Sequence, residues 1–549
     1  MKKYKKIFLL LLLVFFALSR SNAQLQVDTV LMAMQDELER SMQELQYKDY
    51  EQPFFIAYGI DEATTTNITA TLGAVVDVSS LPLRTKYVRV MAGDYELNDE
   101  SLDSDITQSS PGFNSWQVPL GNDYYGIRRS LWISTDQVYK SASRIYAEHQ
   151  KKIEAEGKPL SEIPHRRFGK VPPVTLISPE QRTNLNKKSL LEMAGSLSSI
   201  FLQFPDFHNS TVNLLNYNTI SYLVNSEGSR VRTYKNMSAL QISAAKISPE
   251  GVPVFKQLYF LAENPAEWPK LEQLEREILA MAEEMNLMID APNFDDSYDG
   301  PVLFEGKAVP TVFSNNIVNQ FVASDIEPES SGFGVRFNAD PFDDKMGKKI
   351  GSGSLSISLM PRMKEFEGTK LLGVYEVDNE GVSPAEEINL MKDGVLTNVM
   401  TSRTLSKDFH RPTGTGLGPG VVSISVGETS AYPDLKKRLI EMAKEEELEY
   451  ALIIRDIDPG RAQSCNVYKV SLEDGSEEFF KSARLTDFGI KSLKKIDKAT
   501  KERVAYNFPD RNAGSAVSYI VPSALLIEDV EIEKSFQRFN VELPLVPSP

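Results

Sequence analysis

A catalytic zinc needs three nitrogen, sulfur or oxygen ligands and an open fourth position, and this chain is poor in the first two. Its four histidines, His149, His165, His208 and His410, lie too far apart for any two to share a helix face, and Cys465 is the only cysteine. His149 falls on the charged end of a helical pattern and His165 beside Arg166 and Arg167, so both read as surface residues. His410 adjoins a glycine-rich loop and is the one histidine placed to reach a cavity. Covalent catalysis finds no better footing. There is no Gly-x-Ser-x-Gly elbow, and Ser314 has no evident His or Lys partner to activate it. Asp295-x-Ser297-x-Asp299-Gly300 imitates the start of a calcium loop, but the twelfth position, which should be a bidentate Glu, is Gly306. Asp340, Asp343 and Asp344 offer oxygens to a hard cation, although a solvated acidic turn is the commoner use of such a cluster.

The loop from Arg411 to Gly420 carries glycine at 414, 416, 418 and 420. It lacks the Lys-Ser/Thr of a phosphate cradle. Alternate glycines clear one face of an extended segment so that another backbone can come close; a flexible turn explains them equally well. Gly414, Gly416, Gly418 and His410 are therefore the candidates for contacting an extended peptide.

The chain is organised around the stretch from Gly300 to Val322. A short apolar strand, Val302-Leu303-Phe304, runs through Glu305-Gly306 into a helix with Pro310 in its first turn. Val309, Phe313, Ile317 and Phe321 form one apolar stripe, which predicts helix through Phe321. Ser314, Asn315, Asn316, Asn319 and Gln320 make the polar, uncharged side. An amide has no useful pKa, so Asn315 cannot act as a general base.

Other elements follow from periodicity. Helices are predicted over Val27–Leu45, Ile127–Ile153, about Lys188–Phe201, from Leu271 through Met288, and about Asp434–Leu448. Strands are predicted as separate short pieces at Phe54–Ile60, Ile68–Val76, Tyr87–Met91, Val212–Leu215, Ser221–Val224 and Ala239–Ala245. Beyond Gly300 strands dominate, with Asp393-Gly394 and Asp474-Gly475 as hairpin turns. The composition shifts at Ala291–Gly300. The reading is α+β with two domains, an N-terminal one over 24–298 with mostly antiparallel sheet and a strand-rich, barrel-like one over 299–549.

Lys2, Lys3, Lys5 and Lys6 precede an apolar run from Ile7 to Leu18, and Ser21-Asn22-Ala23 offers a cleavage site, so residues 1–23 read as a secretory signal. Twelve apolar residues are too few to span a bilayer comfortably, and the mature chain shows no other candidate span. The expected place is the periplasm or cell envelope. Removing that segment takes away five positive charges and brings the net charge from −16 to −21. So acidic a chain is a poor partner for nucleic acid. A single cysteine permits no internal disulfide, and Cys465 reads as a semi-buried strand residue.

The stretch from Gly300 to Val322 resembles the strand and helix that open the C-terminal half of the TldD/PmbA family, metallopeptidases once called modulators of DNA gyrase. Similar segments occur in the family's order at Asn122–Tyr139, Tyr298–Gly306, Val377–Met400, Arg411–Gly420 and Ser515–Ile532. In catalytic members the helix carries His-Glu-x-x-x-His, and a Cys near the end of the chain is the third zinc ligand. Here those positions are Ser314, Asn315 and Asn319, and the region about Pro509–Gly514 has no Cys. The resemblance implies two domains, a dimer, and an internal cavity that holds unfolded peptide by strand-like pairing. It also implies a non-catalytic subunit with no cofactor of its own, zinc being expected only in a catalytic partner; the dimer is made with a zinc-bearing homologue or with a second copy of the chain. Two alternatives stay open: a peptidase with an atypical or partner-completed metal site, and a stand-alone peptide-binding protein of the envelope.

Overall fold

The computed structural model describes residues 28–102, 118–179, 181, 185–248, 251, 253–323, 345–405, 409–416, 418–457, 464–510 and 514–535. The signal-like segment and Asp340, Asp343 and Asp344 lie outside these residues. The protein is mixed α+β. Its first part is one antiparallel sheet of long strands with helices on one face. β1 (Phe55–Thr71) and β2 (Ala74–Met91) form a hairpin, and β3 (Asn209–Asn225), β4 (Arg230–Ile247) and β5 (Pro253–Ala262) follow, in the order β2-β1-β3-β4-β5. The short strand Thr175–Ile177 adds to β4 in parallel.

These strands are longer than the sequence suggests. The pieces expected at Phe54–Ile60 and Ile68–Val76 belong to one hairpin with Tyr87–Met91, and the two pieces before Asn225 are one strand. The threonine-rich run between Asp61 and Asn67 hides this continuity, because its polarity resembles loop while its β-branching favours strand. The turn is Leu72-Gly73, both with positive φ.

Every second strand residue faces the helices. Ile56, Tyr58, Ile60, Val88 and Val90 pack under α1 (Thr29–Glu44) and α2 (Tyr124–Glu156). Ile68, Ala70, Val212, Leu214, Leu240 and Ile242 pack under α3 (Lys187–Ser199) and α4 (Leu271–Asp290). Asp28 caps α1 by accepting from the Val30 and Leu31 amides. His149, expected at the surface, is fully buried on α2, with Nδ1 3.0 Å from the Asn98 carbonyl oxygen. Burial holds its imidazole below the ordinary value. The charged tail of α2 is solvated only on its outer side, and His149 lies on the other.

The second part begins at β6 (Ser297–Glu305), which leaves no room for a calcium loop at Asp295–Gly300. α5 (Ala308–Asn316) follows directly. One sheet contains β7 (Leu355–Leu359), β8 (Ile388–Lys392), β9 (Val421–Val426), β14 (Arg503–Pro509) and β15 (Ala516–Pro522). A second contains β6, β10 (Tyr450–Ile454), β11 (Ser464–Ser471), β12 (Glu477–Leu485), β13 (Ile496–Thr500) and β16 (Ala524–Lys534). β16 pairs with both β12 and β6, so that ladder curls back on itself. Among the described residues one α-helix follows α5, α6 (Tyr432–Glu445), with Pro433 in its first turn. Both Asp-Gly turns form: Asp393-Gly394 joins β8 to Val395–Leu396, and Asp474-Gly475 joins β11 to β12. Cys465 is a free, buried residue of β11. No described helix is long and apolar enough to cross a membrane.

Candidate functional site

The strand residues that point away from the helices face the second part of the chain. Register assigns them to one face, because directly opposed residues of an antiparallel pair point the same way. Tyr217 stands opposite Met237, Thr219 opposite Lys235, Ser221 opposite both Thr233 and Asp61, and Leu223 opposite Val231. The second part touches this face at two ends. At one end Gly514, beyond β14, packs on Tyr217: a Cβ there would lie 3.1 Å from the Tyr217 Cβ. Met237 clusters there with Leu372 and Ala516. At the other end Val377 packs on Leu223 and Val231. Six residue steps lead from Tyr217 to Leu223, a span of about 20 Å.

Between these two abutments the face stays wet. Asp61 and Tyr87 are exposed, and Ala63, Thr65, Thr219, Ser221, Thr233 and Lys235 are half-buried. Yet protein surrounds them closely enough to change their acidity. Burial pushes the Asp61 carboxyl up and the Tyr87 hydroxyl up to about 12, and lowers the Lys235 ammonium. Side chains left accessible to water between two contacts with the second part line a hollow between the parts. Its floor is polar: Ser221 Oγ donates to Asp61 at 2.5 Å.

α5 forms part of the roof. It packs on β15, whose Tyr519 is buried. The turn between β14 and β15 meets the floor at Tyr217 and Met237, which links roof to floor. The apolar stripe is as predicted, with Val309, Phe313, Ile317 and Phe321 fully buried. The α-helix itself ends at Asn316, and Val318–Gln320 is a 3-10 turn. Ile317, at φ −118°, absorbs the change.

Ser314, Asn315 and Asn319 therefore stand on the helix side opposite the core. Ser314 Oγ donates to the Thr311 carbonyl at 3.0 Å, and Asn319 Nδ2 donates to the Ser314 carbonyl at 3.2 Å. A hydroxyl and two neutral amides, two of them tied into local backbone bonds, do not fit a catalytic zinc, which takes thiolate, imidazole or carboxylate. Among the described residues no three His, Cys, Asp or Glu side chains converge on a point.

The glycine-rich loop lies at the Leu223 end. Close backbone approach does occur there, and the approaching backbone is the chain's own: a Cβ on Gly373 would lie 2.1 Å from the Gly420 carbonyl oxygen. Gly414, at φ +73°, presses on the Pro384 backbone, and a Cβ on Gly416 would meet Asn379. Gly418, at φ +96°, has open space at its Cβ position, and His410 is exposed. Residues that the sequence does not single out hold this loop. Asp378 accepts from the Gly416 amide at 3.0 Å as well as from Glu380 and Val382. Tyr375 donates its hydroxyl towards the Gly414 and Gly418 carbonyls, at 3.1 and 3.0 Å.

A buried ion-pair clamp closes the same end. Arg403 is wholly inaccessible and binds Glu227 through two N–H groups at 2.7 and 2.8 Å. It also donates to the Gly169 carbonyl and stacks 4.1 Å from the Phe168 ring centroid. The Arg403 amide donates to Glu380, which also accepts from Arg89 of β2 at 2.6 Å. Charges from both parts of the chain are thus interlocked, with their polar atoms satisfied.

Residues 305–534 match the PmbA/TldA metallopeptidase C-terminal domain. The second part of the chain belongs to the TldD/PmbA family. Three solved structures share its fold. A protein of Thermotoga maritima named as a modulator of DNA gyrase is 15% identical, with a TM-score of 0.53 over 87% of this chain and 96% of its own. One so named from Bacteroides thetaiotaomicron is 10% identical, with a TM-score of 0.55 over 92% and 98%. TldE from Thermococcus kodakarensis is 11% identical, with a TM-score of 0.52 over 91% and 100%. No curated protein matches the chain. The helix α5, with its apolar seat, lies inside the matched residues.

Proposed function

We propose that this TldD/PmbA member is exported and holds unfolded peptide in the hollow between its two parts without cutting it, as the non-catalytic subunit of a metallopeptidase complex. The observation that carries the reading is the hollow itself: a wet, polar floor about 20 Å long under a helix whose motif positions are Ser314, Asn315 and Asn319. Such a floor offers Asp61, Thr219, Ser221, Thr233 and Lys235 to the polar backbone of an extended chain. Gly418 is the member of the glycine-rich loop with room for that backbone to come close. Hydrolysis would fall to a zinc-bearing relative in the same compartment, in keeping with a family that includes TldE. The basic start and apolar run of residues 1–23 support export.

Titration of a labelled unfolded peptide tests the reading. Thr219→Trp puts an indole on the middle of the floor. It should weaken binding at least about tenfold, the equivalent of 1.4 kcal/mol, and leave the thermal transition in place. Unaltered affinity would remove the peptide from the hollow.

A further inference from the structure

The floor of the hollow carries two opposite charges that stand apart from each other. Asp61 lies on β1 and Lys235 on β4. Register puts both on the inner face. Asp61 stands in one cross-strand row with Ser221 and Thr233, and Lys235 in the next row with Thr219 and Ala63. Asp61 accepts from the neutral Ser221 hydroxyl, and among the described residues neither Asp61 nor Lys235 makes an ion pair. Lys235 is half-buried. Burial lowers its ammonium by more than Asp510 and Glu263 raise it, and Glu263 is itself taken by Lys370 at 2.6 Å. At the clamp end, by contrast, charges are paired: Arg89 binds Glu100 and Glu380, and Arg403 binds Glu227. Desolvating a charge alone is costly, so enclosed charges are ordinarily paired. Two left unpaired on one floor are placed for charges that arrive with a ligand.

We propose that Asp61 and Lys235 select the peptide: the hollow takes an extended segment with a basic group and a carboxylate about four residues apart, the first meeting Asp61 and the second Lys235. The spacing follows from the sheet. β1 and β4 both flank β3, so two strand spacings, roughly 10 Å, separate them. Lys235 lies two residues, about 7 Å, beyond the row of Asp61. The two Cα positions are thus about 12 Å apart. Residues four apart in an extended peptide are about 13 Å apart and point to the same side, whereas neighbours point to opposite sides. Such a path crosses the strands obliquely. It suits a floor whose ends along the strands are closed, by Gly514 on Tyr217 and by Val377 on Leu223. This selection rests on the hollow holding peptide at all.

Short labelled peptides of Ser, Thr and Gly with one Lys and one Glu test it against the full chain. In one set Lys and Glu are four residues apart, in the other adjacent, so that composition and net charge are the same. Both orders of Lys and Glu are titrated, since the two charges accept a chain running either way. The better spaced peptide should bind about fivefold more tightly than the adjacent ones. Raising salt from about 0.05 to 0.5 M should shrink that preference. Lys235→Gln and Asp61→Asn should each bring the spaced peptide down to the adjacent ones. Equal affinities in the wild type would overturn the selection; if both sets then weaken with Thr219→Trp, the peptide reading still stands. Binding of neither set would end both. A preference that persists in either folded variant would also overturn the selection. If a variant does not fold, the salt series decides, and a preference unmoved by salt contradicts the role of the two charges.

Discussion

Arg403 and Glu227 show how much one buried pair can decide. Removing the guanidinium leaves a carboxylate enclosed without its cation, so Arg403→Ala should cost about 3–5 kcal/mol in urea denaturation. Adding Glu227→Ala to Arg403→Ala should cost less than the two single changes summed, because the stranded charge is then gone. Neither residue stands out in the sequence, since partners 176 positions apart leave no local pattern. The glycine-rich loop is the opposite case: visible in the sequence, but with part of its meaning hidden. Gly414 and Gly420 have the positive φ that favours glycine, and Gly420 receives the chain's own Gly373. Gly414→Val would meet the Pro384 backbone in a left-handed conformation and should lower stability by roughly 2–5 kcal/mol; an unmoved urea midpoint would contradict this packing. Asp378 adds a pH dependence. Burial, with Glu380 nearby, pushes its carboxyl up to about 6. Between about pH 4 and that value the folded chain keeps a proton the unfolded chain has released. Stability from this group is therefore present at low pH and lost as pH rises through the window. Measured against Asp378→Asn, the wild type should lose ground from pH 4 to 6 and hold level above it.

At the scale of elements, α5 was legible because its stripe repeats every four residues and its strand leads straight into it. Phe313 is fully buried in the second part's core, so Phe313→Ala should cost about 3–5 kcal/mol. Asn315 is exposed, and Asn315→Ala should stay within about 0.5 kcal/mol of wild type. Thermal denaturation of the pair checks both. The end of the α-helix at Asn316 was not legible, because Ile317 and Phe321 remain in phase with the stripe through the 3-10 turn. The long strands were also missed, for a reason tied to the site. Threonines, asparagines and serines on their inner face look like loop in a one-dimensional pattern. They are strand residues that stay wet because they floor a hollow. Alternation fails as a signal where neither face of a strand is simply core or simply bulk solvent. His149 illustrates the converse: charged neighbours predict a surface, yet one side of the helix is still interior.

The whole molecule keeps the fold of the TldD/PmbA family, and the hollow exists only where its two parts meet. No single segment contains it, so the sequence could supply its roof through α5 but not its floor. Native mass spectrometry of the purified full chain, incubated with an unfolded peptide, reads metal content, peptide retention and cleavage together. The predicted spectrum is metal-free protein carrying intact peptide, and the peptide adduct should fall away with Thr219→Trp. A spectrum showing about one zinc per chain together with shortened peptide would contradict the account.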